Sequence, residues 1–362
     1  MTWEEWVSLA ALLLATAAVV VGLVLLRRLS QTRRGAKPLA RRVGRQETPS
    51  GPPAFVVNPI KVPDPAALRR LANQVAAANG LGEPLWYETV PEDSGGGQAR
   101  QAVADGASVV VAAGGDGTVR AVAGALSGSP VPMGLIPMGT GNLLARNLDL
   151  PLGDVRGLVD VALTGPDHEI DVGYLRAVGA DDSGGSAGEE HCFLVMAGLG
   201  FDAAMVAGAD DALKKRVGWL AYFLAGVRHL HSRRLRITMT LDGHEAHLRL
   251  RSLLFANCGR LPGGIVLLPQ AEVDDGFLDI AGIDTKGGVI GWASLFGKVL
   301  IQGVGFRRNL QVSGGTIEFW RGHELTVTCE APEPVQVDGD LVAKTDRLSV
   351  TVRPGALTVR SR

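Results

Sequence analysis

Cysteine is scarce in this 362-residue chain, and Cys192, Cys258 and Cys329 stand far apart, without the spacing of a metal-ligand set or a disulfide framework. Each reads as a reduced, buried small hydrophobe. Charge of one sign is also lacking: a formal net charge of −1 gives no global attraction to nucleic acid. The histidines, including His229, His231, His244 and His247, show no metal-ligand spacing, and no internal repeat is evident. Disulfide-stapled, zinc-binding, nucleic-acid-binding and repeat classes therefore lose their support. What remains is globular, since 46% hydrophobic residues permit a sizeable core and the length suggests two domains.

One long apolar run is present. Residues 7–26 carry no charge and, as a helix, would span about 30 Å, the thickness of a bilayer core. Glu4 and Glu5 precede the run, whereas Arg27, Arg28, Arg33, Arg34, Lys37, Arg41, Arg42 and Arg45 follow it against the single acid Glu47. That asymmetry predicts a transmembrane anchor over 1–27, with the rest of the chain on the cytoplasmic side of the cell membrane. A cleaved signal peptide would need the opposite polarity and a cleavage site. The basic linker, 28–53, would lie against anionic inner-leaflet headgroups, or serve only as a disordered tether that fixes topology.

Prolines, Gly51 and Ser50 mark the start of the folded part. A strand over 54–58 is followed by a helix that Asp64 caps and Pro65 opens, stopping at Gly80. A strand over 85–90, a helix over 98–104 and a strand over 109–113 continue the alternation. The last of these ends in Gly114-Gly115-Asp116-Gly117-Thr118, and helical spacing resumes over 119–126. A second corner follows: Leu135-Ile136-Pro137-Met138-Gly139-Thr140-Gly141-Asn142, then a helix over 143–148. Glycine lets backbone approach a phosphate, the first N–H groups of a helix point at it, and Asp116 can reach a metal ion or a hydroxyl. The alternation predicts a parallel sheet with right-handed crossovers, whose ligands bind beyond the strands' carboxyl ends. Asn58, Gly114 and Gly139 all fall at that edge and converge on one nucleotide-sized site.

From about Tyr174 strands outnumber helices, after a Gly- and Ser-rich loop over 180–190. Asp242-Gly243 is the dipeptide of a two-residue hairpin turn between strands over 236–241 and 244–250. Further strands at 253–257, 278–283, 316–320, 325–329 and 348–352 predict a β-sandwich or a strongly bent antiparallel sheet. Helices are expected at 211–230 and 289–301. The first carries Trp219, Tyr222 and Phe223, which read as core or as the wall of an acyl-chain pocket.

Val56-Val57-Asn58-Pro59 and the two glycine corners, in this order, resemble the VNP, GGDGT and P-x-GTGN motifs of the diacylglycerol kinase catalytic family of lipid kinases. The resemblance runs from about Phe55 to the C-terminus. It implies an α/β nucleotide-binding domain over 54–173, similar to that of NAD kinases and phosphofructokinases, and a β-sandwich lipid-binding domain over 174–352. A last segment, 353–362, would return to the first domain. The cofactors implied are ATP and Mg²⁺. Gly114, Gly115, Gly117, Thr118, Gly139, Thr140 and Asn142 would cradle phosphates, and Asn58, Pro59 and Thr89 would contact the nucleotide. Lys61 would add positive charge, and Asp116 would act through the catalytic Mg²⁺.

Three further segments carry the same resemblance. Glu169-Ile170-Asp171-Val172-Gly173 is similar to the family's I-D-x-G, where Asp171 would orient the active-site network; an ordinary turn acid is the other reading. Residues 268–279 resemble P-x-A-x-x-x-DG-x-L-D, implying a structural Mg²⁺ on the Asp275 carboxylate and the carbonyls of Glu272 and Phe277. Without the family, Asp274-Asp275-Gly276 is a β-turn. Val337-Asp338-Gly339-Asp340 resembles V-D-G-E, whose last acid is the proposed general base, here Asp340 with Asp338 in support.

The chain also departs from the family. Pro59 is followed by Ile60, Lys61, Val62 and Pro63, with no glycine to close the first turn; Arg120-Ala121 replaces Asn-Glu; and Asp340 is one bond shorter than glutamate. The activity implied is ATP-dependent phosphorylation of a membrane lipid hydroxyl, diacylglycerol to phosphatidic acid, with a sphingoid base or ceramide as the alternative substrate. Two other classes stand beside it, a non-lipid kinase such as an NAD kinase and a non-catalytic nucleotide- and lipid-binding scaffold. Oligomeric state has no signature in the sequence.

Overall fold

A computed structural model of the chain describes residues 50–178, 188–200, 234–261, 265–268, 270–285 and 315–362. The expected anchor, nearly all of the basic linker and the helices expected at 211–230 and 289–301 lie outside these residues. Among the described residues, no helix is long and apolar enough to cross a membrane.

Strands β1 (Pro53–Val57), β2 (Leu85–Glu88), β3 (Val109–Gly114) and β4 (Met133–Pro137) pair in parallel in the order β2-β1-β3-β4. β1, β3 and β4 are buried along their whole length, which is why their sequences are apolar throughout rather than alternating. Helices α1 (Pro65–Ala78), α2 (Gly96–Ala104), α3 (Asp116–Leu126), α4 (Leu143–Asn147) and α5 (Val155–Thr164) accompany them. α1 starts where its cap and proline predict, with the Asp64 side chain accepting the Ala67 N–H at 2.8 Å. α5 is additional to the elements expected; Asp154 caps it, and Leu158, Val159, Ala162 and Leu163 face inward. It lies so close to β4 that a Cβ on Gly134 would stand 2.7 Å from Ala162 Cβ.

The C-terminal half contributes β5 (Asp167–Ala177), β6 (Glu190–Phe193), β7 (Met196–Gly200), β8 (Leu235–Leu241), β9 (His244–Leu250) and β10 (Ser252–Ala256). The short pair β11 (Arg260–Leu261) and β12 (Ile265–Val266) follows, then β13 (Leu278–Thr285), β14 (Gly315–Gly322), β15 (Glu324–Val337) and β16 (Asp340–Arg360). These strands close around one core that includes Phe193, Leu199, Ile237, Phe255, Ile280, Val327 and Val350. β15 turns the corner: Leu325 to Cys329 pair with β8, a register shift intervenes after Thr328, and Val335 to Val337 pair with β7.

β16 is far longer than the five-residue strand expected at 348–352, because it serves both halves. It runs antiparallel to β15 and β5, and Val359 then pairs in parallel with Met133 of β4. Among the described strands, all but β11 and β12 belong to one hydrogen-bonded sheet. The cysteines are all free, but only Cys258 is buried, whereas Cys192 and Cys329 are half-buried. Desolvation still pushes the thiols of Cys192 and Cys329 up to about 11.

Candidate functional site

The two glycine corners touch. Gly115 is the N-cap of α3, and a Cβ on Gly139 would lie 3.0 Å from Gly115 Cα. Asp116, the first residue of α3, bridges them: Oδ2 accepts the Asn142 N–H at 2.9 Å and Oδ1 accepts the Leu143 N–H at 2.7 Å. Its carboxylate therefore satisfies the free N–H groups at the start of α4. Burial raises the Asp116 pKa, opposed by these two donors and by Arg146. Asn142 adopts a left-handed backbone, φ 49°, and closes the second corner on itself, its Oδ1 accepting the Gly139 N–H at 2.9 Å while its Nδ2 donates to the Gly139 carbonyl at 2.8 Å. Each Asp116 oxygen keeps a second lone pair beyond the bridge, acceptor capacity that a cation would use.

Beside the first corner, Asn58 Oδ1 accepts the N–H groups of Ile60 and Lys61, an Asx turn that takes the place of the missing glycine. Asn58 Nδ2 also reaches Thr118 Oγ1 at 3.4 Å. Thr89 is buried at the end of β2, its N–H on the Val57 carbonyl. Pro59, Lys61 and Thr140 are exposed at the loop tips.

From the other half comes the turn between β15 and β16. Asp338 at φ 46° and Gly339 at φ 90° form the same two-residue hairpin turn as Asp242 and Gly243. The Asp338 carboxylate is buried beneath it and accepts the N–H groups of Leu194, Val195 and Met196 at 2.9, 3.0 and 2.9 Å. Desolvation pushes its pKa upward, against these donors and Arg120. Asp340 projects from the far side of the turn toward α3, with Oδ2 at 3.9 Å from where a Gly117 Cβ would stand. Arg120 Nη2 meets that oxygen at 2.8 Å, and Arg120 Nη1 donates to the Val337 carbonyl.

Asp171 is a buried hub away from the phosphate corners. Oδ2 accepts the Gly276 N–H at 2.6 Å and Oδ1 accepts the Gly355 N–H at 2.7 Å, tying the Asp275 turn to β16. At that turn Asp275 Oδ1 accepts the Phe277 N–H, and Oδ2 meets the Arg321 guanidinium, which also lies over the Phe277 ring. A guanidinium thus supplies the positive charge that a metal would bring. Among the described residues no three His, Cys, Asp or Glu side chains gather as a metal site. The structural Mg²⁺ expected there asks for the Asp275 carboxylate and the carbonyls of Glu272 and Phe277, and in this structure Arg321 faces that carboxylate.

Two residues at this edge escape a reading by motif. Asp93 caps α2 by accepting the N–H groups of Gly95, Gly96 and Gly97 at 2.9, 2.8 and 2.8 Å. Arg120 is visible in sequence only as a departure, and its partners lie 217 and 220 residues away.

The fold and site together define a two-lobed α/β protein in which a glycine-cornered parallel sheet is joined to a β-sandwich that returns an acidic hairpin to the corners. The sequence pattern of the diacylglycerol kinase catalytic domain matches residues 67–175, and that of the YegS C-terminal NAD kinase beta sandwich-like domain matches 195–361. A Pseudomonas aeruginosa protein named "Probable lipid kinase YegS-like" is 31% identical over 296 residues, covering 79% of this chain and 87% of that one. A Mycobacterium tuberculosis protein named "Diacylglycerol kinase" is 34% identical over 183 residues, and the match spans 49% of this chain and only 56% of that relative. The crystal structure of a diacylglycerol kinase from Bacillus anthracis shares the fold at a TM-score of 0.60 and 16% identity, covering 88% of this chain and 98% of that one. The chain belongs to the diacylglycerol kinase catalytic family, in the branch that carries the YegS-type C-terminal domain.

Proposed function

We propose that this protein transfers the γ-phosphoryl group of ATP to the free hydroxyl of a membrane lipid, with diacylglycerol giving phosphatidic acid as the reaction. The observation that carries the reading is the position of Asp340, an acid delivered by the β-sandwich so that its Oδ2 lies 3.9 Å from where a Cβ on Gly117 of the phosphate corner would stand. Phosphoryl transfer asks a protein for positioning, for neutralisation of charge and for one acceptor of the hydroxyl proton.

The chain's own groups divide that work. The N–H groups of Gly115, Gly117 and Thr118, aided by Thr140 and Asn142, hold the phosphates at the start of α3. Asn58 and Thr89 border the nucleotide, and Lys61 adds charge at the mouth. Asp340 takes the proton as the lipid oxygen bonds to the γ-phosphorus and the bond to the bridging oxygen of ADP breaks. Asp116 would hold the divalent cation that accompanies ATP, which would supply charge neutralisation to the phosphates. Asp171 and Asp338 act on the backbone around the site.

The expected anchor over 1–27 and the basic segment behind it fit a lipid acceptor, since they would keep the site at the inner leaflet. The test incubates the protein with γ-labelled ATP, Mg²⁺ and mixed micelles holding diacylglycerol, ceramide or a sphingoid base. Label should enter the organic phase as phosphatidic acid and be lost in Asp340→Ala with ATP binding kept. ATP binding without transfer to any lipid would make the protein a scaffold.

A further inference from the structure

We infer that Arg120 is a positioning residue that sets the reach of Asp340, so that the two departures from the family pattern work as one unit. The inference rests on the phosphotransfer reading above, in which Asp340 accepts the proton. Arg120 lies in the second turn of α3 with its side chain about one-fifth exposed, whereas the Asp340 side chain is 59% exposed. An exposed aspartate on a hairpin turn would ordinarily sample several rotamers. Here the guanidinium fork grips the turn at two points, Val337 carbonyl and Asp340 Oδ2, the second at 2.8 Å. A fork with fixed geometry can hold both; the single ammonium of lysine cannot.

The rest of the turn is already fixed. Asp338 pins it to Leu194, Val195 and Met196, and the Gly339 N–H donates to Gln336 Oε1 at 2.8 Å. Arg120 is itself seated against the sandwich, because its carbonyl accepts the Cys192 thiol at 3.5 Å. Arg120 takes Oδ2 alone, and among the described residues Oδ1 of Asp340 has no partner, leaving it to meet the lipid hydroxyl. The grip draws the shorter acid toward α3 and toward the phosphates that Gly117 would hold. A glutamate would need no such help, being one bond longer.

The test compares Arg120→Met, Arg120→Lys, Asp340→Glu and the double variant Arg120→Met/Asp340→Glu in the full chain. Arg120→Met should lose about 10- to 100-fold in kcat, with KM for ATP within about twofold and the melting curve unchanged. Arg120→Lys should recover only part of that loss. The double variant should regain most of the kcat lost by Arg120→Met, since the longer acid reaches without the guanidinium. Wild-type kcat in Arg120→Met overturns the inference. So does a loss that Asp340→Glu leaves unrelieved, because a purely structural arginine would give that result. Absence of transfer to any lipid by the wild-type protein would instead remove the phosphotransfer assignment itself, and full transfer activity in Asp340→Ala would remove Asp340 as the proton acceptor, each outcome read apart from the Arg120 variants.

Discussion

Asp116 and Leu143 are 27 positions apart, yet the carboxylate of one accepts the backbone N–H of the other at 2.7 Å, locking the two glycine corners into a single surface. Neither corner is complete alone. The first supplies the acid, and the second supplies the helix start that the acid caps.

That bridge depends on a glycine. A Cβ on Gly141 would fall 2.7 Å from Asp116 Oδ2, so Gly141→Ala should push the carboxylate off the α4 N–H groups. We expect transfer activity to fall about 10- to 100-fold while circular dichroism stays native. Gly153→Ala is the control, since nothing lies within 4 Å of its added Cβ, and it should leave activity unaltered.

Asp171→Asn should destabilise the whole fold. An amide can accept with only one end, so it cannot satisfy the N–H groups of both Gly276 and Gly355, and one part-buried N–H would face an amide NH₂ instead. A loss of about 2–3 kcal/mol in urea unfolding is expected. A change below the error of the measurement would show that the hub is dispensable.

The α2 cap should make itself felt in acid. Burial alone would raise the Asp93 carboxyl, but three amide donors and then Arg100 outweigh it and hold its pKa below the usual carboxylate range. A carboxyl whose pKa falls on folding stabilises fully above its unfolded value, about 4, and this is lost as pH drops through the folded value. Asp93→Ala should therefore cost about 1 kcal/mol at neutral pH and flatten the pH dependence of stability below about pH 4.

At the Asp275 turn, chelation should do nothing to the fold. The wild-type melting temperature is expected to be the same in EDTA and in Mg²⁺, because Arg321 provides the cation. Arg321→Met leaves Asp275 without its counter-charge and Asp279, already raised to about 6 by burial and then Glu272, without its nearest cation, at 3.7 Å. A loss of about 1–3 kcal/mol should follow. A chelator-sensitive wild type would return the turn to a metal.

Much of the parallel sheet was legible from the residues. Apolar runs ended by glycine, the Asp64-Pro65 start of α1 and the Asp242-Gly243 turn each have a local cause, and local causes leave local marks. Asp338-Gly339 has the same local cause, its positive φ values matching those of Asp242-Gly243. α5 likewise carries a local cause, the Asp154 cap and a buried stripe.

The glycine corners, the order of strands and helices in the first half, and the acids available for chemistry follow from the residues alone, because backbone freedom, burial period and charge belong to single residues and their neighbours. Which partners those acids meet is set by the folded chain. That Asp116 spans two corners, that Arg321 faces Asp275, that Arg120 grips Asp340, and that β16 joins both halves at Val359 are all contacts between residues distant in the chain. Nothing in a residue's local pattern encodes which remote partner reaches it, since that is fixed only when the sheet closes and sets β16 beside β4.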